Sequence, residues 1–178
     1  MDRFVNRHIR EVQPYTPISP PEVLEEESGV AEQEIVKLDG NENPYAPSPR
    51  AMQALVSYVH YNLYPDPEQR ALRKALASYT GLGRDYIVAG SGADELIDLL
   101  VRLLVEPGDE VVIAPPTFAM YAFTTRIVGG QVVEAPRRED LSLDVSAVEE
   151  SVTERTKAIL LASPNNPSGD SGETDIVL

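Results

Sequence analysis

The chain contains no cysteine and no tryptophan, and only two of its 178 residues are histidine. The lack of cysteine excludes disulfide bonds, thiolate zinc sites, iron–sulfur clusters and a cysteine nucleophile within these residues. His8 and His60 lie too far apart to match a metal-ligand spacing, so we expect each to be an ordinary surface or partly buried residue. The sequence therefore predicts no metal site.

Positive charge is also scarce, since 15 basic residues stand against 29 acidic ones and the formal net charge is −14. Nucleic-acid backbones are bound by clustered lysines and arginines, so this composition argues against a nucleic-acid partner. Only three of the basic residues are lysines, namely Lys37, Lys74 and Lys157. Any chemistry that needs a lysine has few candidates.

Long apolar runs are missing too. The best candidate for a membrane span, residues 96–105, is interrupted by Asp98 and Arg102. The charged start of the chain, residues 1–11, lacks the apolar core of a signal peptide. Hydrophobic residues nevertheless make up 42% of the chain, which is enough for a packed core. We expect a cytoplasmic protein without a membrane partner.

The composition changes near residue 35. Residues 1–35 are rich in proline and glutamate, and we expect an arm with at most a short exposed helix near residues 22–27. The second region, residues 36–178, opens with a turn-rich loop, followed by a helix that Ser48 caps and by another helix over residues 67–79.

Strands and helices alternate from residue 86 onward. The predicted strands cover residues 86–89, 110–114, 131–135 and 157–162. The predicted helices cover residues 93–105 and 145–152, and a third follows the loop opened by Pro115 and Pro116 and runs through Ile127. Asp144 is expected to cap the last of these helices, and a further helix is expected to begin at residues 175–178. This alternation predicts an α/β fold with a mostly parallel sheet and flanking helices.

The turn at residues 90–92 matches no complete phosphate-binding or nucleophile signature. Glu95 stands where a dinucleotide fingerprint has its third glycine, and Ser91 is flanked by alanines rather than glycines at residues 89 and 93. What remains is a glycine turn that leads into a helix, where free amides and the helix dipole attract an anion such as phosphate. Asp94 is expected to cap this helix.

Five motifs follow one another along the chain: Asn41–Tyr45, Tyr64–Pro67, Gly92–Glu95, Pro115–Phe118 with Tyr121, and Ser163–Gly169. The last three, in this order and at this spacing, resemble the large domain of fold-type I pyridoxal-phosphate aminotransferases. The two nearest the N-terminus narrow the resemblance to the histidinol-phosphate aminotransferases of histidine biosynthesis. Threonine-phosphate decarboxylases and aromatic aminotransferases share the motifs, so both stay open as alternatives.

The resemblance implies a binding site for pyridoxal 5′-phosphate. The amides of Gly92, Ala93 and Asp94 would bind the cofactor phosphate. Phe118 would stack on the ring, and Asn166 would donate a hydrogen bond to the phenolic oxygen of the ring. Each also has a purely structural interpretation, with Phe118 as a core aromatic and Asn166 as a turn residue.

The resemblance also implies contributions from residues nearer the N-terminus. Tyr64 would reach the cofactor phosphate of a neighbouring subunit, which requires a homodimer. Asn41 and Tyr45 would belong to a loop that closes over the substrate, although a proline-framed surface turn would have the same sequence. The implied substrates are small molecules, an amino-acid-like phosphate ester as amino donor and a 2-oxo acid as acceptor.

The Schiff-base lysine of such enzymes has no counterpart here. In the family it follows a serine well downstream of the Asn-Asn-Pro turn, and none of the three lysines fits that position. We therefore expect the chain to be the N-terminal part of an aminotransferase, truncated within its large domain and inactive alone. The alternative from a different class is a non-catalytic phosphate-binding or interaction fragment.

Overall fold

The structure is a computed structural model, and it describes residues 2–171. The chain divides into two compact units, Met1–Tyr15 together with Gly90–Leu178, and Thr16–Ala89. The predicted division into residues 1–35 and 36–178 stays a prediction, and the helix predicted at residues 175–178 lies outside the described residues. The elements are α1 (Arg7–Glu11), α2 (Pro21–Ser28), α3 (Pro49–Ser57), α4 (Arg70–Thr80), α5 (Ala93–Leu104), β1 (Glu110–Ile113), α6 (Met120–Ile127), β2 (Gln131–Glu134), α7 (Val145–Glu150) and β3 (Thr156–Leu160), with short 3-10 helices at Asp2–Phe4, Glu32–Glu34 and Arg84–Tyr86.

The first unit is built on a parallel sheet with the strand order β2-β1-β3. The central strand β1 is buried along its whole length, and its alternate side chains enter two separate cores. Val111 packs with Val101 of α5, whereas Val112 packs with Val148 of α7 on the opposite face. A strand covered by helices on both faces reads as a continuous apolar run, as it does here. The predicted α/β fold with a parallel sheet and flanking helices is confirmed.

Several predicted helix ends are also confirmed. Gly81 follows the last turn of α4 with φ 77°, a left-handed conformation that glycine adopts without steric cost. The Asp144 carboxylate accepts a hydrogen bond from the Ala147 amide at 3.3 Å and so caps α7. Ser48 does occupy the residue before α3, but its side chain forms no capping hydrogen bond.

The prediction of a helix over residues 67–79 placed its start too early, because α4 begins at Arg70. The carboxylate of Asp66 accepts hydrogen bonds from the amides of Glu68 and Arg70, each at 3.1 Å. An aspartate bonded in this way to the backbone that follows holds a turn rather than a helix. The turn therefore extends as far as Gln69, which has a left-handed φ of 50°.

The prediction of a strand at residues 86–89 is wrong. The segment begins as the 3-10 helix Arg84–Tyr86, with the Ile87 amide donating to the Arg84 carbonyl at 3.2 Å. Arg73 of α4 donates to the same Arg84 carbonyl at 2.7 Å and ties the segment to that helix. An apolar segment forms a strand only where its backbone can hydrogen-bond to a neighbouring strand. In the described part of the chain, residues 86–89 have no such neighbour.

Part of the predicted N-terminal arm is packed instead of loose. Helix α1, which the proline pattern does not predict, contacts α6, and His8 Nε2 donates to the Ile127 carbonyl at 3.1 Å. Tyr15 adds a ring contact with Phe123 of α6, with 6.1 Å between the ring centroids. His8 is thus a partly buried structural histidine, as the sequence predicts.

Glu110 opens β1 and has a side chain that is only 4% exposed. Thr153 donates to its Oε2 at 2.6 Å, and Arg155 donates through Nε to its Oε1 at 2.9 Å. The Thr153 hydrogen bond, followed by those from Arg155, lowers the pKa of the Glu110 carboxyl below its ordinary value of 4.5. An ionised carboxylate therefore joins the start of β1 to the segment that precedes β3.

The stabilising effect of Glu110 is expected to depend on pH. Because its pKa is lower in the folded chain, its contribution to stability is present above pH 4.5 and is lost as the pH falls below that value, through the folded-state pKa. Glu110→Gln should lower the free energy of unfolding at neutral pH, and the difference from wild type should shrink as the pH falls below 4.5. Urea unfolding of both proteins across this range measures the effect, and a difference that stays constant would contradict it.

Candidate functional site

The candidate site lies at the edge of the sheet where the parallel strands end, which we call the carboxyl edge. Three loops leave the strands there, at residues 114–119, 135–144 and 161–170. Helix α5 contacts α6 and β3 and returns to β1 through a short turn, so it runs opposite to the strands and begins at the same edge. In open parallel sheets, ligands bind at the carboxyl ends of the strands.

The turn before α5 has a backbone conformation that only glycine adopts without strain. Gly92 has φ 87° and ψ 179°, and any side chain in this region of φ and ψ is strained. Gly92, Ala93 and Asp94 are exposed residues, and their amides have no acceptor among the described residues. Together with the dipole of α5, which has 12 residues, they form a local attraction for an anion.

The predicted cap by Asp94 is wrong, because no side chain among the described residues caps α5 at Gly92. The Glu95 carboxylate instead accepts a hydrogen bond from the amide of Ser91, one residue before Gly92. A Cβ on Gly90 would lie 2.7 Å from the same carboxylate oxygen, so a larger residue there would displace the Glu95 side chain. The turn thus already attracts one carboxylate, and it leaves its next amides, those of residues 92–94, open to solvent.

Phe118 follows β1 in the first loop and is half-buried. The ring of Tyr121 contacts it edge to face, with 5.8 Å between centroids and 89° between the ring planes. Tyr121 itself packs into the core below, and its burial raises the pKa of its phenol. The Phe118 ring is therefore held by a residue that is anchored in the core.

The third loop contains a buried asparagine that the sequence analysis did not single out. Asn165 is 3% exposed, and its side chain bonds both to its own turn and to the first loop. It accepts from the Thr117 hydroxyl at 2.8 Å and donates to the Pro116 carbonyl at 3.0 Å. Asn166, the predicted ligand, is next in sequence and half-buried. The structure thus brings the loops of Phe118 and Asn166 together.

A buried arginine joins the second loop to the other two. The Arg137 side chain is 3% exposed and donates through Nε to the Ala114 carbonyl at 2.9 Å. Its Nη1 donates to the Leu141 carbonyl at 3.0 Å and to the Asp170 carboxylate at 3.2 Å. Sequence reasoning missed Arg137, because nothing in a run of two arginines shows which of them is buried.

The remaining predicted residues belong to the second unit. Tyr64 is completely exposed, and Tyr45 is 83% exposed. Asn41 is exposed with a left-handed φ of 51°, and the Tyr45 amide donates to Asn43 Oδ1 at 3.0 Å, which closes the turn between them. Asn41 and Tyr45 thus lie exposed on one turn, as a closing loop requires and as a surface turn also would, and Tyr64 is exposed beyond α3.

None of the three lysines belongs to the loops of the carboxyl edge. Lys157 lies on β3 and pairs with Asp109, just before β1 begins, at 3.8 Å. Lys37 pairs with Asp39 and Glu42 in the second unit, at 3.0 and 3.7 Å, and Lys74 lies on α4. Residues 2–171 contain no group of three metal-ligating side chains and no helix that is long and apolar enough to span a bilayer.

A parallel sheet with helices on both faces, and with its loops converging at the carboxyl edge, places the chain among the α/β domains that bind ligands at that edge. Residues 33–174 match the model of the aminotransferase class I and II family, and the chain belongs to this family. The chain is 48% identical over 178 residues to the chloroplastic histidinol-phosphate aminotransferase of Nicotiana tabacum, covering 99% of the chain and 43% of that protein. It is 47% identical over 167 residues to the histidinol-phosphate aminotransferase of Roseiflexus castenholzii, covering 90% of the chain and 45% of that protein.

A solved structure shows the same fold. The histidinol-phosphate aminotransferase of Sinorhizobium meliloti, crystallised with pyridoxal 5′-phosphate, matches with a TM-score of 0.76 and 28% identity, covering 92% of this chain and 43% of that one. The predicted resemblance to fold-type I aminotransferases is confirmed. The chain spans less than half the length of the curated relatives it matches.

Proposed function

We propose that this chain supplies the cofactor-holding part of a pyridoxal-phosphate-dependent transaminase. The reaction moves the amino group of L-histidinol phosphate to 2-oxoglutarate and yields imidazole-acetol phosphate and glutamate. The observation that carries this proposal is the 48% identity to the tobacco histidinol-phosphate aminotransferase across 99% of the chain. Because only 43% of that relative is covered, the activity and substrates of a whole enzyme are part of the proposal.

The turn before α5 fits the phosphate of this cofactor. The amides of Gly92, Ala93 and Asp94 belong to exposed residues at a helix N-terminus, the arrangement that binds phosphate in many proteins. The Glu95 carboxylate occupies the preceding Ser91 amide and leaves these three open. The turn therefore binds an anion through local amides, even though the net charge of the chain is −14.

Phe118 and Asn166 fit the ring of the cofactor. Phe118 offers a flat apolar face that is held in place by Tyr121, and Asn166 carries an amide that can donate to the phenolic oxygen. The cofactor, when bound, supplies the electron sink for the chemistry, while the protein binds and orients it and moves the proton. In this proposal Phe118 and Asn166 bind and orient the cofactor ring.

The second unit would contribute to substrate binding and to a homodimer. Asn41 and Tyr45 would close over the substrate, and Tyr64 would reach the cofactor phosphate of the partner subunit. Full exposure of Tyr64 supports that role. Helix α5 also exposes Leu99 and Leu103, 53% and 78% exposed, an apolar surface suited to a second copy. We place the dimer in the cytoplasm as part of the same proposal.

The proton-moving lysine would come from outside the residues that the structure describes. Lys157 is on a strand beside Asp109, and the other two lysines belong to the second unit, so none lies in the loops of the carboxyl edge. A lysine that takes and returns a proton must lie within hydrogen-bond reach of the reacting carbon. The proposal therefore assigns cofactor binding, but not proton transfer, to these residues.

The 178-residue chain alone is expected to catalyse no transamination. Mixed with pyridoxal phosphate, L-histidinol phosphate and 2-oxoglutarate, it should form no more glutamate than cofactor without protein. A longer protein that joins this chain to a lysine-bearing segment should form glutamate, and should prefer histidinol phosphate over an aromatic amino acid. Turnover by the chain alone would contradict the assignment of the lysine, whereas preference for an aromatic donor would contradict the proposed substrate.

A further inference from the structure

Asn165 is a buried polar residue whose hydrogen bonds link two loops at the candidate site. Its backbone is held within its own turn, since its amide donates to the Asp170 carbonyl at 2.6 Å and its carbonyl accepts from the Gly169 amide at 2.7 Å. Its side chain reaches across to the first loop, to Thr117 and to Pro116, 48 and 49 positions away in sequence. The side chain is therefore a bridge between two loops that fold separately.

The orientation of the Asn165 amide follows from its partners. The Pro116 carbonyl can only accept a hydrogen bond, so the amide nitrogen must face it at 3.0 Å. The same nitrogen donates its second hydrogen to the Ser168 hydroxyl at 2.8 Å. The amide oxygen then faces the Thr117 hydroxyl, which donates to it at 2.8 Å. These three bonds require one acceptor and two donated hydrogens on the same side chain, which the asparagine amide provides.

We infer that Asn165 is a positioning residue for the cofactor ring, because it fixes the separation between Phe118 and Asn166. Each of these predicted ligands is the chain neighbour of a bridged residue, Phe118 beside Thr117 and Asn166 beside Asn165 itself. A flat ring stacked on one residue and hydrogen-bonded by the other binds well only when both stand at the correct spacing. Asn165 sets this spacing without touching the cofactor.

The inference rests on the proposed function, and its test separates the ring from the phosphate. Inorganic phosphate would use only the turn at residues 92–94, whereas pyridoxal phosphate would also use Phe118 and Asn166. Asn165→Asp puts an oxygen against the Pro116 carbonyl and should weaken pyridoxal phosphate binding about tenfold. Binding of inorganic phosphate should stay unchanged. Equilibrium titration with each probe gives the two dissociation constants, and their ratio is the readout.

A second pair of variants keeps the test decisive if Asn165→Asp does not fold. Thr117→Val keeps the shape of the side chain but removes its hydroxyl, and Thr117→Ser keeps the hydroxyl that bonds Asn165. Thr117→Val should shift the ratio of the two dissociation constants in the same direction as Asn165→Asp, and Thr117→Ser should keep the wild-type ratio. Glu110→Gln, which weakens the opposite edge of the sheet, serves as the control for lost stability and should leave the ratio unchanged.

The outcomes separate the two ideas. A wild-type chain that binds neither probe would overturn the proposed function, and the inference with it. A wild-type chain that binds both, with variants at Asn165 and Thr117 that keep its ratio, would overturn the inference alone. A ratio that moves equally in Glu110→Gln would also overturn it, because the effect would then follow stability.

Discussion

Replacing Arg137 with leucine is expected to lower the free energy of unfolding by about 1–3 kcal/mol, the usual cost of leaving buried hydrogen-bond acceptors without their donor. The Arg137 side chain is 3% exposed, and leucine keeps its apolar bulk while removing every donor. The Ala114 and Leu141 carbonyls each lose a bond, and the Asp170 carboxylate, 26% exposed, loses its cation. Chemical denaturation of the wild-type and variant chains measures the loss.

A matched arginine provides the control for this prediction. Arg102 on α5 pairs with Asp98 at 2.7 Å, but its side chain is 59% exposed. Arg102→Leu should therefore cost less than about 1 kcal/mol, as exposed ion pairs do. Equal losses in the two variants would show that the Arg137 network contributes nothing beyond a surface pair.

Replacing Gly92 with alanine is expected to weaken phosphate and cofactor binding about tenfold or more, because the turn must either keep a strained conformation or rotate its amides. Beyond the chain neighbours of Gly92, none of the described residues has an atom within 4 Å of the position that the new methyl group would take, so the effect is one of backbone conformation and not of crowding. Rotation would aim the amides of Ala93 and Asp94 away from a common acceptor. Titration with inorganic phosphate and with pyridoxal phosphate should show losses of similar size.

Gly108→Ala is the control for this substitution. Gly108 has φ 97°, and its added methyl group would also have no atom of the described residues within 4 Å apart from its chain neighbours. It lies, however, in the turn before β1, at the opposite edge of the sheet. Both variants should lose comparable stability, and only Gly92→Ala should lose affinity. Loss of affinity in both variants would mean that stability alone explains the result.

The parts of the fold that were predictable share one property, which is that local sequence and tertiary environment agree. Helix α5 and strand β1 were recognised because a glycine turn, an amphipathic run and an apolar run follow one another, and each is also what the core needs. At residues 86–89 the two disagree. The apolar run favours a strand, but the described structure offers it no strand to pair with, and the Arg73 bond holds its start on α4.

The candidate site was predictable only in part, for a similar reason. The motifs pointed to Gly92, Phe118 and Asn166 because a resemblance in sequence names positions directly. Asn165 and Arg137 bond to loops far away in sequence, so their roles depend on contacts that no local pattern contains. Sequence also could not show that Glu95, rather than Asp94, bonds to the turn before α5. Either carboxylate could accept a hydrogen bond from an amide there, and only the folded geometry decides between them.

The strand order β2-β1-β3 also has a consequence for how the protein is made. The central strand is synthesised first, its partner β2 follows after one helix, and β3 is complete only at Leu160. At about 5–20 residues per second, roughly 2–10 s separate the synthesis of Ile113 from that of Leu160. During that interval a nascent β1 on the ribosome has an unpaired side, and the apolar strand is open to association with other chains. The emergence of β3 ends this vulnerable period of translation.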